Sequence, residues 1–221
     1  MKPVGERVLY IDNHLLAISK CPGEPVQDDI SGDDSLYEKC KAWIKSEFDK
    51  PGEVYLGLVH RIDRPVSGLV LFARTSKAAA RLSEMIQLRE LDKRYRVIVE
   101  NWQGEPNGTL ENHLVKNATQ NKSYVCEANR KGAKRAVLHY QVLRNLNHYT
   151  ELEIKLETGR HHQIRTQLAH LGSPIRGDVK YGAKRPMPDL SIQLHAYSLQ
   201  LIHPVKKTDW YLECPLPENW L

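Results

Sequence analysis

Two strongly apolar runs flank a short polar loop in the first third of the chain. The runs span 54–59 and 69–73, and their length and branched residues predict buried strands. The loop between them spans 60–68. Within it, Pro65 fixes its own φ and Gly68 permits backbone angles that other residues resist. The pattern therefore predicts a defined turn between two core strands rather than a slack linker.

The remaining apolar positions alternate between the strand period of two and the helical period of about 3.6. A period of two predicts strands at 7–11, 14–19, 93–99, 135–144, 148–156 and 210–213. The helical period predicts helices at 35–48, at 76–88 and in a third segment that ends at Leu171. The polar stretch 101–134 contains turn signals and predicts hairpins, because no long Gly/Ser/Pro tract marks a linker between two self-sufficient halves.

Composition describes a globular protein. The 221 residues are 41% hydrophobic, and no apolar run approaches the about 18 residues of a membrane helix. The start of the chain leads into a strand and lacks the apolar core of a signal peptide, so we expect a cytoplasmic protein without a membrane partner. The four cysteines have no close spacing, which argues against a disulfide framework and a thiolate metal site.

The formal net charge of +5 is only mildly basic and decides little. Its distribution is more informative, because two groups of cations are close in sequence. They are Lys93, Arg94 and Arg96, which interleave with a tyrosine, and Arg130, Lys131, Lys134 and Arg135. Such clusters neutralise phosphates in nucleic-acid-binding proteins, but either one alone is equally typical of a solvated edge strand.

The loop at 60–68 carries the first candidate for chemistry. Asp63 stands between Arg61 and Arg64, and a nearby cation favours the ionised form of a carboxylate. An ionised acid held in a tight loop could act as a nucleophile. The alternative is structural, since an aspartate in this position often caps a turn and pairs with an arginine.

The motif around Asp63 resembles that of a known enzyme family. The residues His60-Arg61-Ile62-Asp63, followed by Ser67-Gly68-Leu69-Val70-Leu71-Phe72-Ala73-Arg74-Thr75, resemble the catalytic motif of the RluA family of RNA pseudouridine synthases. Val66 departs from the threonine that is common there. The resemblance implies an α+β fold, with a mixed, largely antiparallel sheet, flanking helices and a central active-site cleft. It also implies one catalytic domain over 1–221, without the S4-type RNA-binding domain of longer relatives.

Four further motifs extend the resemblance. Lys20-Cys21-Pro22-Gly23 is similar to the K-P-x-G segment of the family, with cysteine in place of proline, and Lys93-Arg94-Tyr95 is similar to its K-x-Y motif. The segment Leu156-Glu157-Thr158-Gly159-Arg160-His161-His162-Gln163-Ile164-Arg165 resembles L-x-T-G-R-T-H-Q-I-R, with His161 replacing threonine. The residues 177–182 match G-D-x-x-Y-G, a structural segment in the family.

The resemblance implies a role for each matched residue. Asp63 would be the catalytic carboxylate, Arg165 would pair with it, and Tyr95 would lie against the target base. Arg61 would fill the space that a flipped uridine leaves, and substrate contacts would come from His60, Arg64, Arg160 and His162. The reaction would convert uridine to pseudouridine in structured RNA, either ribosomal or transfer RNA. A monomer without cofactor or metal is expected.

Three other interpretations compete with this one. His161, His162 and His170 suggest a metal site, but two of them are adjacent and none has the i+4 carboxylate partner of zinc-binding helices. A catalytically silent RNA-binding module would keep the basic surface without needing an aspartate framed by arginines. A glycosidic-bond hydrolase would need a second acid near Asp63, and the sequence offers no obvious one.

Overall fold

The computed structural model describes residues 2–29 and 31–220, which form two compact units. The first unit comprises the chain up to Leu91 together with Ala196–Glu218, and the second comprises Asp92–His195 with the residues after 218. The three helices are α1 (Leu36–Glu47), α2 (Ser76–Gln87) and α3 (Gln163–His170). The strands are β1 (Val8–Ile11), β2 (Leu15–Lys20), β3 (Gly57–Leu58), β4 (Ser67–Ala73), β5 (Asp92–Glu100), β6 (Asn107–Asn117), β7 (Lys122–Cys126), β8 (Lys134–Asn145), β9 (Tyr149–Leu156), β10 (Leu194–Ile202) and β11 (Asp209–Glu213).

In the first unit, the strand order is β1-β2-β4-β10, with β11 added to β10 and β3 added to β4. β1 and β2, two of the predicted strands, form an antiparallel hairpin, and Lys20 at the end of β2 pairs with Gly68 at the start of β4. All seven residues of β4 are buried, as its continuous apolar run predicts. The catalytic-motif loop therefore ends on a strand that is fixed on both sides.

The two helices of the first unit begin where hydroxyl side chains cap them. The Ser35 hydroxyl accepts a hydrogen bond from the Glu38 amide at 3.3 Å and so caps α1. At α2 the cap is Thr75, whose hydroxyl accepts from the Ala78 amide at 3.2 Å. The buried face of α2 consists of Ala78, Leu82 and Met85, which repeat at the helical period.

The prediction of a buried strand at 54–59 is wrong. Only Gly57 and Leu58 form a strand, and the side chains of Tyr55 and Leu58 are 50% and 38% exposed. Short apolar runs do not specify their own burial, because β propensity reflects packing against neighbours. Here the short pairing with β4 ends at Leu58, and the chain then enters the polar loop.

In the second unit the strand order is β5-β9-β8-β6-β7, and each described pairing is antiparallel. The polar stretch 101–134 holds the β6–β7 hairpin, as the sequence predicts. On β5, Tyr95 pairs with Ile154 of β9, and five residues further Glu100 pairs with Tyr149. The helix α3 follows β9, and Gly172 adopts a positive φ of 81° just after it, consistent with the predicted stop.

Helices interspersed with largely antiparallel strands confirm the α+β fold class. Among the described residues, no helix is long and apolar enough to cross a membrane.

Candidate active site

The loop that carries Asp63 is a hydrogen-bonded turn in the first unit. The amide of Val66 donates to the carbonyl oxygen of Asp63 at 3.0 Å, and Asp63 itself is half-buried. Gly68 ends the loop with φ 117°, and a Cβ there would lie 2.5 Å from the backbone nitrogen of Ala196 on β10. Only glycine fits this close approach, so the loop is held at its C-terminal end by backbone packing.

His60 stands at the other end of this loop. Its Nε2 accepts a hydrogen bond of 2.9 Å from the Leu71 amide on β4. Because Nε2 is an acceptor, its lone pair is occupied and the ring is neutral in this arrangement. This bond fixes the position of His60 beside the loop.

The two arginines of the loop bond to the segment that precedes α1. Arg64 Nε donates to the Gly23 carbonyl at 2.8 Å, and its guanidinium pairs with Asp33 and, at 3.8 Å, with Asp29. Arg61 donates to the Gln27 side chain at 3.1 Å. Both guanidinium groups are exposed. The partners Gln27, Asp29 and Asp33 could not be read from the sequence, since they lie in no motif.

A buried cation that the sequence analysis missed lies beneath the loop. Lys20 is 1% exposed, and its Nζ donates to the carbonyl oxygens of Cys21, Arg64 and Val66 at 2.8, 3.0 and 2.8 Å. Three acceptors use all three donors of an ammonium group. The signal that could have revealed it is a lysine that closes an apolar strand just before a Pro-Gly turn.

Burial lowers the pKa of Lys20 to about 7, although the negative charges of Glu24 and Asp63 oppose this effect. Lys20 therefore interacts electrostatically with the candidate catalytic carboxylate inside the first unit. Its bonds to Arg64 and Val66 fix the backbone on the C-terminal side of Asp63.

Tyr95 lies in the second unit, near the start of β5, and is half-buried. Its neighbour in the K-x-Y motif, Lys93, shares its face because the two are separated by two strand positions. Burial lowers the pKa of Lys93. Lys93 Nζ lies 3.8 Å from the position that a Cβ on Gly159 would take, in the motif at 156–165.

The side chain of Gln163 stabilises the turn within the motif at 156–165. Its side-chain oxygen accepts from the Thr158 hydroxyl at 2.8 Å and from the Arg160 amide at 2.9 Å, while its Nε2 donates to the Val137 carbonyl at 3.0 Å. Arg160 Nε donates to the Arg135 carbonyl at 2.9 Å. The turn is thereby tied to β8. Sequence reasoning had given Gln163 no role.

The adjacent histidines are engaged in hydrogen bonds. Their rings stack at 3.8 Å, and His161 contacts Ser123 Oγ through Nδ1 at 2.8 Å and Asn121 Oδ1 through Nε2 at 3.1 Å. His162 contacts the Tyr181 hydroxyl through Nδ1 at 2.9 Å. Burial, and to a smaller extent the positive charge of Arg165, holds the pKa of His162 far below its ordinary value. His162 is therefore neutral at physiological pH.

Within the part of the chain that the structure describes, no group of three or more His, Cys, Asp or Glu side chains could hold a metal ion.

Arg165 is buried, and Asp178 is its counter-ion in the second unit. Arg165 Nε and Nη2 donate to the two carboxylate oxygens of Asp178 at 2.7 and 2.8 Å, and both side chains are at most 5% exposed. The guanidinium also lies 4.9 Å from the Tyr181 ring centroid. From the sequence, Asp178 is predicted only as part of a structural segment. The pairing of Arg165 with Asp63 stays a prediction.

The chain is similar to known pseudouridine synthases. The family model described as RNA pseudouridylate synthase matches residues 14–170, a range that includes Asp63, Tyr95 and Arg165. A Pseudomonas aeruginosa protein named ribosomal large subunit pseudouridine synthase D is 32% identical over 97% of this chain and 69% of its own length. A Bacillus subtilis protein named uncharacterized RNA pseudouridine synthase YlyB is 30% identical over 99% of this chain and 71% of its own length.

The fold has a solved counterpart. The structure of human RNA pseudouridylate synthase domain containing 4 has a TM-score of 0.83 and 24% identity, and covers 98% of this chain and 91% of that chain. At this identity the likeness shows the fold. The sequence matches establish that the chain belongs to the RNA pseudouridylate synthase family. The resemblance to the RluA family is thereby confirmed, and the chain is an RNA pseudouridine synthase, an isomerase.

Proposed function

We propose that this enzyme converts a uridine of large-subunit ribosomal RNA to pseudouridine, with Asp63 as the catalytic carboxylate. The observation that carries the proposal is the family match across 14–170, which contains the Asp63 loop and the Arg160–Arg165 turn. The choice of ribosomal over transfer RNA is supported by the names of the relatives, such as ribosomal large subunit pseudouridine synthase D.

The reaction breaks the bond between C1′ and N1 of the uridine and forms a bond between C1′ and C5. N1 gains a proton, and C5 loses one. An ionised Asp63 either attacks the sugar or removes a proton from C2′ as the glycosidic bond breaks. Lys20 interacts electrostatically with Asp63, and we assign a second interaction with this carboxylate to Arg165.

The remaining assignments concern the flipped base. A stacked uridine must leave its helix before it reacts, at a cost of about a few kcal/mol. The exposed planar head of Arg61 is suited to fill the vacated space, and Tyr95 is suited to pack on the uracil. We assign substrate contacts to His60, Arg64, Arg160 and His162, as the family resemblance implies.

We further propose that the enzyme acts as a cytoplasmic monomer and needs no cofactor. Native mass spectrometry of the purified chain measures its oligomeric state, and a stable dimer at assay concentration would contradict the first part.

The decisive experiment substitutes Asp63. The isosteric Asp63→Asn variant should bind RNA and melt like the wild type but form no pseudouridine. Large-subunit ribosomal RNA from a strain lacking the gene serves as substrate, and pseudouridine is mapped after incubation. Asp49→Asn makes the same chemical change at an exposed position of the first unit and serves as the control. Turnover by Asp63→Asn above about one per cent of the wild type would argue against a direct role.

The same assay distinguishes an active enzyme from a catalytically silent RNA-binding module. Such a module would bind the RNA in its wild-type form and leave every uridine unchanged. Release of free uracil, detected by chromatography, would instead revive the hydrolase interpretation.

A further inference from the structure

The second unit contains a large cleft at the end of β5 that is lined by basic and aromatic side chains. Its volume is about 720 Å³, within the range of ligand sites in proteins. The side chains that matter for its chemistry are Arg176, Lys184 and Arg185, which are basic, and Trp102 and Tyr149, which are aromatic.

The cleft lies away from Tyr95. Glu100, which lines it, follows Tyr95 by five positions on β5, a separation of about 17 Å along a strand. An odd separation also places the two side chains on opposite faces of the sheet. A ligand in the cleft would therefore not occupy the position that Tyr95 offers to the target base.

Most strand arginines of this unit are already paired with acids. Arg94 contacts Glu153 at 2.7 Å, Arg96 contacts Glu151 at 3.3 Å, and Arg135 contacts Glu111 at 2.7 Å. These three belong to the clusters that the sequence suggested as phosphate-binding. Their positive charge is largely neutralised within the protein, because carboxylates on neighbouring strands face them.

The cations of the cleft differ in this respect. Within the described residues, no carboxylate lies at ion-pair distance from Arg176, Lys184 or Arg185, and Glu100 is the one acidic residue that lines the cleft. Lys184 and Arg185 are exposed. Three cations against one carboxylate leave the cleft with positive charge that a polyanion can neutralise.

Aromatic side chains accompany these cations. The Arg176 guanidinium lies 4.7 Å from the Tyr149 ring centroid, and the Trp102 ring meets Tyr140 edge-on at 5.0 Å. Trp102 Nε1 is a buried donor without a hydrogen-bond partner among the described residues. Exposed cations beside aromatic rings are the combination that binds single-stranded nucleic acid, in which phosphates pair with the cations and bases stack on the rings.

We propose that this cleft binds a single-stranded segment of the substrate RNA at a distance from the reacting uridine. The inference rests on the proposed function for the identity of that RNA. Lys184 and Arg185 would contact successive phosphates, and the Arg176–Tyr149 pair would support a base. A free nucleotide offers the same chemistry, so the experiment below includes it as a separate arm.

The test compares two RNA probes. One is a hairpin with uridines in its loop, and the other is the same hairpin with a single-stranded flank of about eight nucleotides. Fluorescence anisotropy measures the affinity of each at several salt concentrations. The wild type should bind the flanked hairpin about tenfold more tightly than the plain hairpin.

The double variant Lys184→Gln/Arg185→Gln should lose this preference and keep its affinity for the plain hairpin. If each cation contacts one phosphate, the slope of log K against log salt for the flanked hairpin should shrink by about 1.4. Lys45→Gln/Lys50→Gln removes the same charge from exposed positions in the first unit and should preserve the preference. Tyr149→Leu should weaken binding of the flanked probe, whereas Tyr149→Phe, which keeps the ring, should not.

Several outcomes would overturn the proposal. The first is equal affinity of the wild type for both probes, and the second is an equal loss of the preference for the flanked hairpin in the two double variants. The third is displacement of the flank by millimolar uridine monophosphate, which would indicate a nucleotide site. Pseudouridine formation is measured separately on ribosomal RNA. Failure of the flank preference with intact isomerisation would refute only the cleft, and absent isomerisation with intact preference would refute only the proposed activity.

Discussion

The ion pair between Arg165 and Asp178 allows a quantitative prediction. Both side chains are at most 5% exposed, and two charge-assisted hydrogen bonds of 2.7 and 2.8 Å join them. Each such bond is worth about 1.5–3 kcal/mol, and breaking a buried pair typically costs about 3–5 kcal/mol. Asp178→Asn keeps one acceptor oxygen but presents an amide donor to a guanidinium donor. We expect it to lose about 3 kcal/mol, and Asp178→Ala about 5 kcal/mol.

Thermal unfolding measures this loss. For a chain of this size, 1 kcal/mol shifts the melting temperature by about 2–4 °C, so Asp178→Asn should melt about 6–12 °C below the wild type. Glu105→Gln is a matched control, since it removes one exposed carboxylate from the same unit. The reasoning would be refuted if Asp178→Asn and Glu105→Gln melted within about 1 °C of each other, or if the alanine variant were the more stable of the two Asp178 variants.

Three other predictions concern the same elements. Burial holds the pKa of Lys20 near 7, below the about 10.4 of an unfolded lysine. Between these two values the unfolded state binds more protons than the folded state, so the free energy of unfolding should rise with pH across that window. Urea unfolding measures this rise, which should be smaller in Lys20→Met. Arg165→Ala should lower both melting temperature and turnover, and wild-type values of both would show that it does not support Asp63. Activity should persist in excess EDTA; loss that zinc but not magnesium restores would assign a metal to His161 and His162.

The family resemblance implied the α+β class. The apolar pattern predicted most of the elements, because long periodic segments are set by the burial of one face. Helices α1 and α2 and strand β4 fall where their apolar spacing places them. The run at 54–59 failed because its burial depends on neighbours far away in sequence. No local pattern shows how many strands will pair beside a short apolar run.

Motifs in the sequence name the candidate reactive groups but not the residues that support them. Asp63 and Arg165 were found because motifs name them, whereas Lys20, Gln163 and Asp178 act through contacts. Lys20 reaches carbonyl groups 44 and 46 residues away, and Asp178 lies 13 residues from Arg165. The basic clusters in the sequence were misleading as predictors of phosphate binding for the same reason. Arg94 and Arg135 look available to phosphates in the sequence, but their acidic partners come from neighbouring strands.

The close approach at Gly68 has a consequence for the genetics of this protein. Every missense change at that codon adds at least a Cβ, which would collide with the backbone of Ala196. No rotamer relieves such a collision, because the obstacle is main chain rather than a flexible side chain. A screen for inactive alleles should therefore recover this codon as often as the codon of Asp63, although glycine has no reactive group. Alleles at Gly68 should yield little folded protein, whereas alleles at Asp63 should yield normal amounts.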